Sequence, residues 1–378
     1  METRDPIKDI IGTCAAQAAA ISAMILSPLV VGALIVGLHI GEMEAGSLIT
    51  VEMLVVGITS MMCAPLMIRV PHHLLAIAST IVLIAGHGLS AQAADISELY
   101  LWRTVAGLGA GCLLATVNAA IAQARSPVRL YGFTWAAGYV FTALMAIGVT
   151  ESNDVVTHDI VYTWLGVALL IFLPLLGFVP RHGGEAVPAP FPRSSISAGC
   201  LLSLAIVLIG LSMMAYYAFI ERLAVQIGAS PVQTGRIIAG AQVAGIVGGL
   251  SAAPVASRFG LIRTLVVVTI LHAVAITFAI WTSQILVLGI IVFIEAVLFI
   301  MLTPMVMTLA ANIDNKGRWA AIAAGALTLS TALGPVTGAA LIESVGYQAI
   351  AWLQYFAALP AVYIFIRVYR HSSKPDTV

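Results

Sequence analysis

The sequence predicts an all-α membrane protein whose twelve transmembrane helices form two six-helix bundles, and three observations carry that expectation. Hydrophobic residues make up 61% of the 378 and charged residues only 9%. Soluble chains hold roughly half and a quarter, so lipid must be the main solvent. Fourteen of the seventeen Lys and Arg residues fall at every second boundary between apolar runs. The two halves also resemble one another at an offset of 189 residues: Ala64-Pro65 with Arg69 recurs as Ala253-Pro254 with Arg258, while Gly46 with Gly235 and Arg129 with Arg318 keep the same spacing.

A bilayer core of roughly 30 Å takes about 20 apolar residues per helix. Runs of that kind lie near residues 10–36, 46–68, 74–92, 97–124, 129–150 and 160–179. A polar stretch from Arg181 to Ser195 follows, bearing Pro188, Pro190 and Pro192. Further runs lie near 196–226, 232–256, 263–283, 285–312, 317–341 and 347–369. Residues 1–180 are therefore expected to form one bundle, 181–195 a cytoplasmic linker and 196–378 the second bundle. The segment Met1 to Ile10 mixes Glu2, Arg4, Asp5, Lys8 and Asp9 and has no small-residue cleavage site after a short apolar stretch, so the first helix is expected to be retained.

Arg4 and Lys8, Arg69, Arg125 and Arg129, Arg181 and Arg193, Arg258 and Arg263, Lys316 and Arg318, then Arg367, Arg370 and Lys374 occupy alternate connections. By the positive-inside rule both termini face the cytoplasm, as in a multi-pass protein of the bacterial inner membrane. The opposite connections hold acids: Glu42 and Glu44, Asp95 and Glu98, Glu151, Asp154 and Asp159, and Glu343. Six helices repeated in one orientation imply bundles related by an axis along the membrane normal, with a substrate path between them.

Several classes are excluded on the same grounds. A formal net charge of zero with the signs segregated gives no support for a nucleic-acid partner. Cys14, Cys63, Cys112 and Cys200 lack the paired spacing of a zinc or redox site and read as small packing residues. The chain carries no phosphate loop, no metal-spaced His and Cys set and no catalytic triad, so neither an enzyme nor a bound cofactor is expected. The longest expected connection, about 16 residues, leaves no room for a catalytic or signalling domain. Energy then comes from an ion gradient, and without an acidic cluster for sodium the proton is the default partner.

Six plus six helices, cytoplasmic termini and a central cytoplasmic linker resemble the major facilitator superfamily of secondary transporters over nearly the whole chain. The family's loop between helices 2 and 3 carries Asp-Arg-x-Gly-Arg. Here Arg258-Phe259-Gly260 and Arg263 keep that frame with Ser257 in the acid's place, and Arg69 remains in the first half beside Ile68 and Pro71. Arg103, Gly107, Gly109 and Gly111 resemble the family's helix-4 motif, an intramembrane arginine followed by small residues. Gly334-Pro335 and Gly338 in helix 11 are similar to its antiporter motif, which in the family belongs to helix 5. The resemblance implies conformational roles for Arg69, Arg258, Gly260, Arg263, Gly334 and Pro335, and a central cavity lined by helices 1, 4, 7 and 10.

The candidate site residues are the polar groups that the bilayer should not hold. A charge at a helix centre costs roughly 2.5–3.5 kcal/mol on insertion scales unless it is paired, neutralised or wet. Glu295 stands about ten residues into helix 10, roughly 15 Å deep, and is the first candidate for proton coupling. Arg103 in helix 4 and Glu52 in helix 2 lie at matching depths of roughly 9 Å and are expected to pair when no substrate is bound. Arg103 would then orient an anionic group and Glu52 would join the proton path, or the pair would simply fix helix packing. Glu221 is a further proton candidate; its neighbour Arg222 points elsewhere and can snorkel. Asn118, Tyr139, Tyr216, Tyr217 and Gln242 are candidate substrate contacts, with Gln17 a weaker polar group. His87 and His272 lie in helices 3 and 9 and read as structural histidines.

These residues predict a monomeric transporter of a small organic solute, coupled to protons and embedded in lipid. Mostly apolar walls favour efflux of a lipophilic or cationic compound; Arg103 favours uptake of an organic anion instead. A non-transporting membrane sensor or enzyme is the third class.

Overall fold

The computed structural model describes residues 5–63, 66–181, 196–313 and 318–372, and within these every regular element is an α-helix. Arg4, the Ala64-Pro65 pair, residues 182–195 of the expected linker, Lys316 and Lys374 lie outside the described residues. The helices of the first half are α1 (Ile7–Ile25), α2 (Ser27–Leu38), α3 (Glu42–Met62), the short α4 (Leu66–Arg69), α5 (His72–Gln92), α6 (Ile96–Ala122), α7 (Pro127–Glu151) and α8 (His158–Leu176). The second half holds α9 (Ile196–Tyr217), α10 (Ile220–Gln226), α11 (Pro231–Phe259), α12 (Leu261–Trp281), α13 (Ile285–Ala311), α14 (Arg318–Val345) and α15 (Gln348–Ser372). Eleven helical spans are long and apolar enough to cross a membrane, and the bent pair α1 and α2 makes a twelfth.

Two spans are broken where the hydropathy runs are continuous. α1 and α2 meet at Leu26 with a bend of 50°. Pro28 lacks an N–H and its ring would crowd the carbonyl of Met24, so the ladder cannot continue straight. The seventh span stops at Tyr217 and resumes at Ile220 as α10, although no proline or glycine lies between them.

Local chemistry fixes the helix starts. Asp95 Oδ1 accepts from the Glu98 N–H at 2.9 Å and Glu98 Oε2 accepts from the Ala94 N–H at 2.9 Å, satisfying two free donors at the head of α6. Ser230 and Gln233 bond reciprocally at the head of α11. Asp5, just ahead of α1, accepts from the Arg125 N–H at 2.6 Å and the Ser126 N–H at 3.3 Å, and so ties the entry to α1 to the head of α7.

The helices cluster into two compact units. One joins the described residues of 1–187 to Phe219–Gln242, and the other joins the described residues of 188–218 to those of 243–378. In the first unit α6 packs on α3 and α5 through glycines spaced two apart. A Cβ on Gly107 would meet Val55, one on Gly109 would lie 2.7 Å from Leu83 N and Ser79 O, and one on Gly111 would crowd Val56 O and Thr59. Gly86 of α5 meets the Ala106 backbone from the other side, 2.7 Å from where its own Cβ would stand. Without a hydrophobic driving force in lipid, such close backbone approach is a main source of helix association. In the second unit the seam runs between α9 and α14, where Gly334 and Gly338 lie against Met214 and Ala215 and Gly210 lies against Ser330.

Gly109→Ala is therefore expected to lower the midpoint of thermal unfolding in detergent, since overpacking a tight site costs about 1–3 kcal/mol and outweighs the helix-propensity gain of about 1 kcal/mol. Gly132→Ala, whose Cβ would meet nothing within 4 Å, is expected to leave the midpoint unchanged or raise it slightly.

Candidate functional site

The first unit buries an ionic node around Arg103. Arg103 sits two turns into α6 with no accessible surface. Its Nε donates to Glu52 Oε2 at 3.0 Å and its Nη2 to Glu52 Oε1, a fork that matches the carboxylate of α3. Nη1 donates to His87 Nδ1 at 3.0 Å and to Ser90 Oγ at 3.3 Å, both on α5. The Tyr162 ring of α8 lies 4.5 Å from the guanidinium carbon, within cation–π range. Since arginine only donates, His87 Nδ1 must accept, which assigns the imidazole hydrogen to Nε2. The depth matching read from the sequence places Glu52 against Arg103. His87, five residues before the end of α5, joins the pair without having been expected there. Arg103 is thus paired with Glu52 and further bonded by α5 and α8, all within its own unit.

The second unit holds the other node, built from different chemistry. Glu295 on α13 is 1% exposed, and its Oε1 lies 3.3 Å from Nδ1 of His272 on α12, itself 3% exposed. Neither group makes a well-directed hydrogen bond, and both carboxyl oxygens and both ring nitrogens are buried. Phe299, one turn further along α13, packs against the imidazole with ring centroids 5.7 Å apart. Tyr216 on α9 is buried with its hydroxyl unbonded and lies within electrostatic reach of Glu295. An isolated charge taken from water into such a site costs tens of kcal/mol by Born solvation. The carboxyl and imidazole can therefore share one proton, and a carboxylate there needs a proton donor facing it.

The remaining candidates are spread out. Glu221 is buried in α10, forked by Arg222 through Nε at 2.5 Å and Nη2 at 2.8 Å, and its carboxylate abuts Gly32 of α2. Tyr217 and Gln242 are buried, and Tyr139 is the last ring of a ladder on α7 with Trp135 and Tyr131. Gln17 is buried in α1. Asn118 is exposed on α6. Arg69, Arg258 and Arg263 are exposed at helix ends, Arg258 stacks over the Phe259 ring at 5.6 Å, and Gly260 takes a φ of 86° that an L side chain would resist. Gly334 and Pro335 are buried within α14.

His87, His272, Tyr162 and Ser90 are the participants that reading by helix number overlooks. Depth could have found His272, which lies nine residues before the end of α12 while Glu295 lies ten residues after the start of α13. Tyr162 leaves no such trace.

Removing one partner of a fully buried ion pair costs about 3–5 kcal/mol. Arg103→Gln and Glu52→Gln are each expected to lower thermal stability by that order. Glu151→Gln, which breaks the bond to Arg236 between side chains 40% and 66% exposed, is expected to cost about 1 kcal/mol or less. Unfolding midpoints of the three variants in one detergent check the ranking.

The family model of the Major Facilitator Superfamily matches residues 202–377. No curated protein matches the chain. Among solved structures the chain is similar to the nucleoside transporter NupG (D323A mutant), at 11% identity and a TM-score of 0.75, over 97% of this chain and 100% of that one. At that identity the likeness speaks for the fold alone. The second half of the chain thus matches the Major Facilitator Superfamily.

Proposed function

We propose that this protein is a secondary transporter that moves a small organic solute across the bacterial inner membrane by alternating access, driven by protons that bind at Glu295. The observation that carries the proposal is the carboxyl of α13, sealed from solvent and set against an imidazole. A group in that position has two states separated by one proton, and a transport cycle needs such a two-state element. Basic connections orient both termini to the cytoplasm, and the working unit is a monomer.

The buried cation bears on the solute. Arg103 is the side chain that an organic anion would need as counter-ion, and it already holds Glu52, His87, Ser90 and the Tyr162 ring. Displacing those partners would cost more than a surface-exposed anion could return. A neutral or lipophilic solute is the better match, with efflux exchanged for entering protons. A second reading follows from the similarity to NupG: a nucleoside is also uncharged, and proton symport of a nucleoside would use the same carboxyl.

Purified protein in proteoliposomes separates these readings. With an imposed pH gradient, ethidium moves if the solute is lipophilic and labelled uridine moves if it is a nucleoside. Glu295→Gln is expected to reduce gradient-driven flux of the transported solute by at least ~10-fold, about 1.4 kcal/mol, while counterflow exchange without a gradient persists. Gradient-driven accumulation unchanged in Glu295→Gln contradicts the proton role.

A further inference from the structure

Resting on the reading of Glu295 as the proton site, we propose that His272 is its exchange partner: the two side chains hold one proton between them, and protons reach or leave Glu295 through the imidazole. Three observations support it. The carboxyl oxygen and Nδ1 face one another at 3.3 Å from adjacent helices. Both groups are almost completely buried, and all four of their polar atoms lie away from solvent without a well-formed bond. Orphaned buried polar atoms are rare in native interiors and call for a specific reason.

The surroundings leave few other routes. Against α13 pack α9, α12 and α14, and Gly248 of α11 lies against the backbone of Val297. On these helices α12 presents His272 and α9 presents Tyr216 toward Glu295. Tyr217 and Cys200 are the other titratable groups of α9, and Arg263 stands in the first turn of α12. The remaining ionisable residues of α11 and α14, namely Arg236, Arg258, Arg318 and Glu343, lie toward the helix ends.

The transfer balances on the atoms present. Glu295 can donate to Nδ1 only if that nitrogen lacks a hydrogen, so the neutral imidazole carries its hydrogen at Nε2. When the Oε1–H bond breaks and an Nδ1–H bond forms, a carboxylate and an imidazolium result, adjacent and mutually neutralising. Loss of the Nε2 hydrogen then passes the proton on and leaves the other tautomer; recharging runs the steps in reverse. His87 of the first unit is placed differently, because Arg103 occupies its Nδ1.

Infrared difference spectroscopy on the full chain in lipid nanodiscs tests the proposal without knowledge of the solute. A pH step should produce a protonated-carboxyl band that Glu295→Gln abolishes. In His272→Gln, and in His272→Asn should the first variant fold poorly, that band is expected to shift in frequency and its titration midpoint to move by about one pH unit or more. A band that disappears in Glu295→Gln but keeps its frequency and midpoint in the histidine variants overturns the role of His272 and leaves Glu295 as the proton site. No titrating band attributable to Glu295 overturns both.

Discussion

A charge inside a hydrocarbon slab must be paired, neutralised or hydrated, and the two units of this protein meet that demand differently. In the first, the guanidinium of Arg103 is matched by a carboxylate, an imidazole, a hydroxyl and an aromatic face, drawn from α3, α5 and α8. Every helix that touches it is thereby fixed in rotation and depth. In the second, Glu295 faces a histidine that does not complete its bonding. The first arrangement is a clamp; the second can change state by moving one proton.

This contrast grows out of packing. Glycines spaced two apart on α6 let α3 and α5 approach closely, and one arginine of α6 bonds to both. In the second unit the close seam lies instead between α9 and α14, at Gly334 and Gly338. The motif that resembles an antiporter signature thus has a plain packing role, bringing α14 onto the backbone one turn before the break in the seventh span. The first span bends at its break by 50°, whereas the seventh, Ile196–Gln226, passes through its interruption as one span.

Much of the fold is legible in the sequence because bilayer thickness sets helix length and charge sets orientation. The span limits near residues 74–92 and 285–312 lie within two residues of α5 and α13. The bend at Leu26 was also within reach, since Ser27-Pro28 interrupts a long apolar run. The gap between α9 and α10 was not, because Tyr-Tyr-Ala-Phe-Ile carries no breaker residue and depends on tertiary contacts. Of the site, the Arg103 and Glu52 pairing follows from depth alone. What depth cannot give is rotation. Which face of a uniformly apolar helix turns inward is settled by the glycine seams, so an arginine expected to meet solute lies among its own helices, and histidines set aside as structural stand against both buried ionic groups.

The central claim is that the second unit binds a proton in the membrane interior through Glu295, whether or not solute is present. Charge displacement on a solid-supported membrane, recorded after a rapid pH step in solute-free buffer, measures this most directly. The account predicts a transient current from the unsubstituted protein that is lost when Glu295 is neutralised and kept when Glu221 is. A current of equal size with and without the Glu295 carboxyl would contradict it.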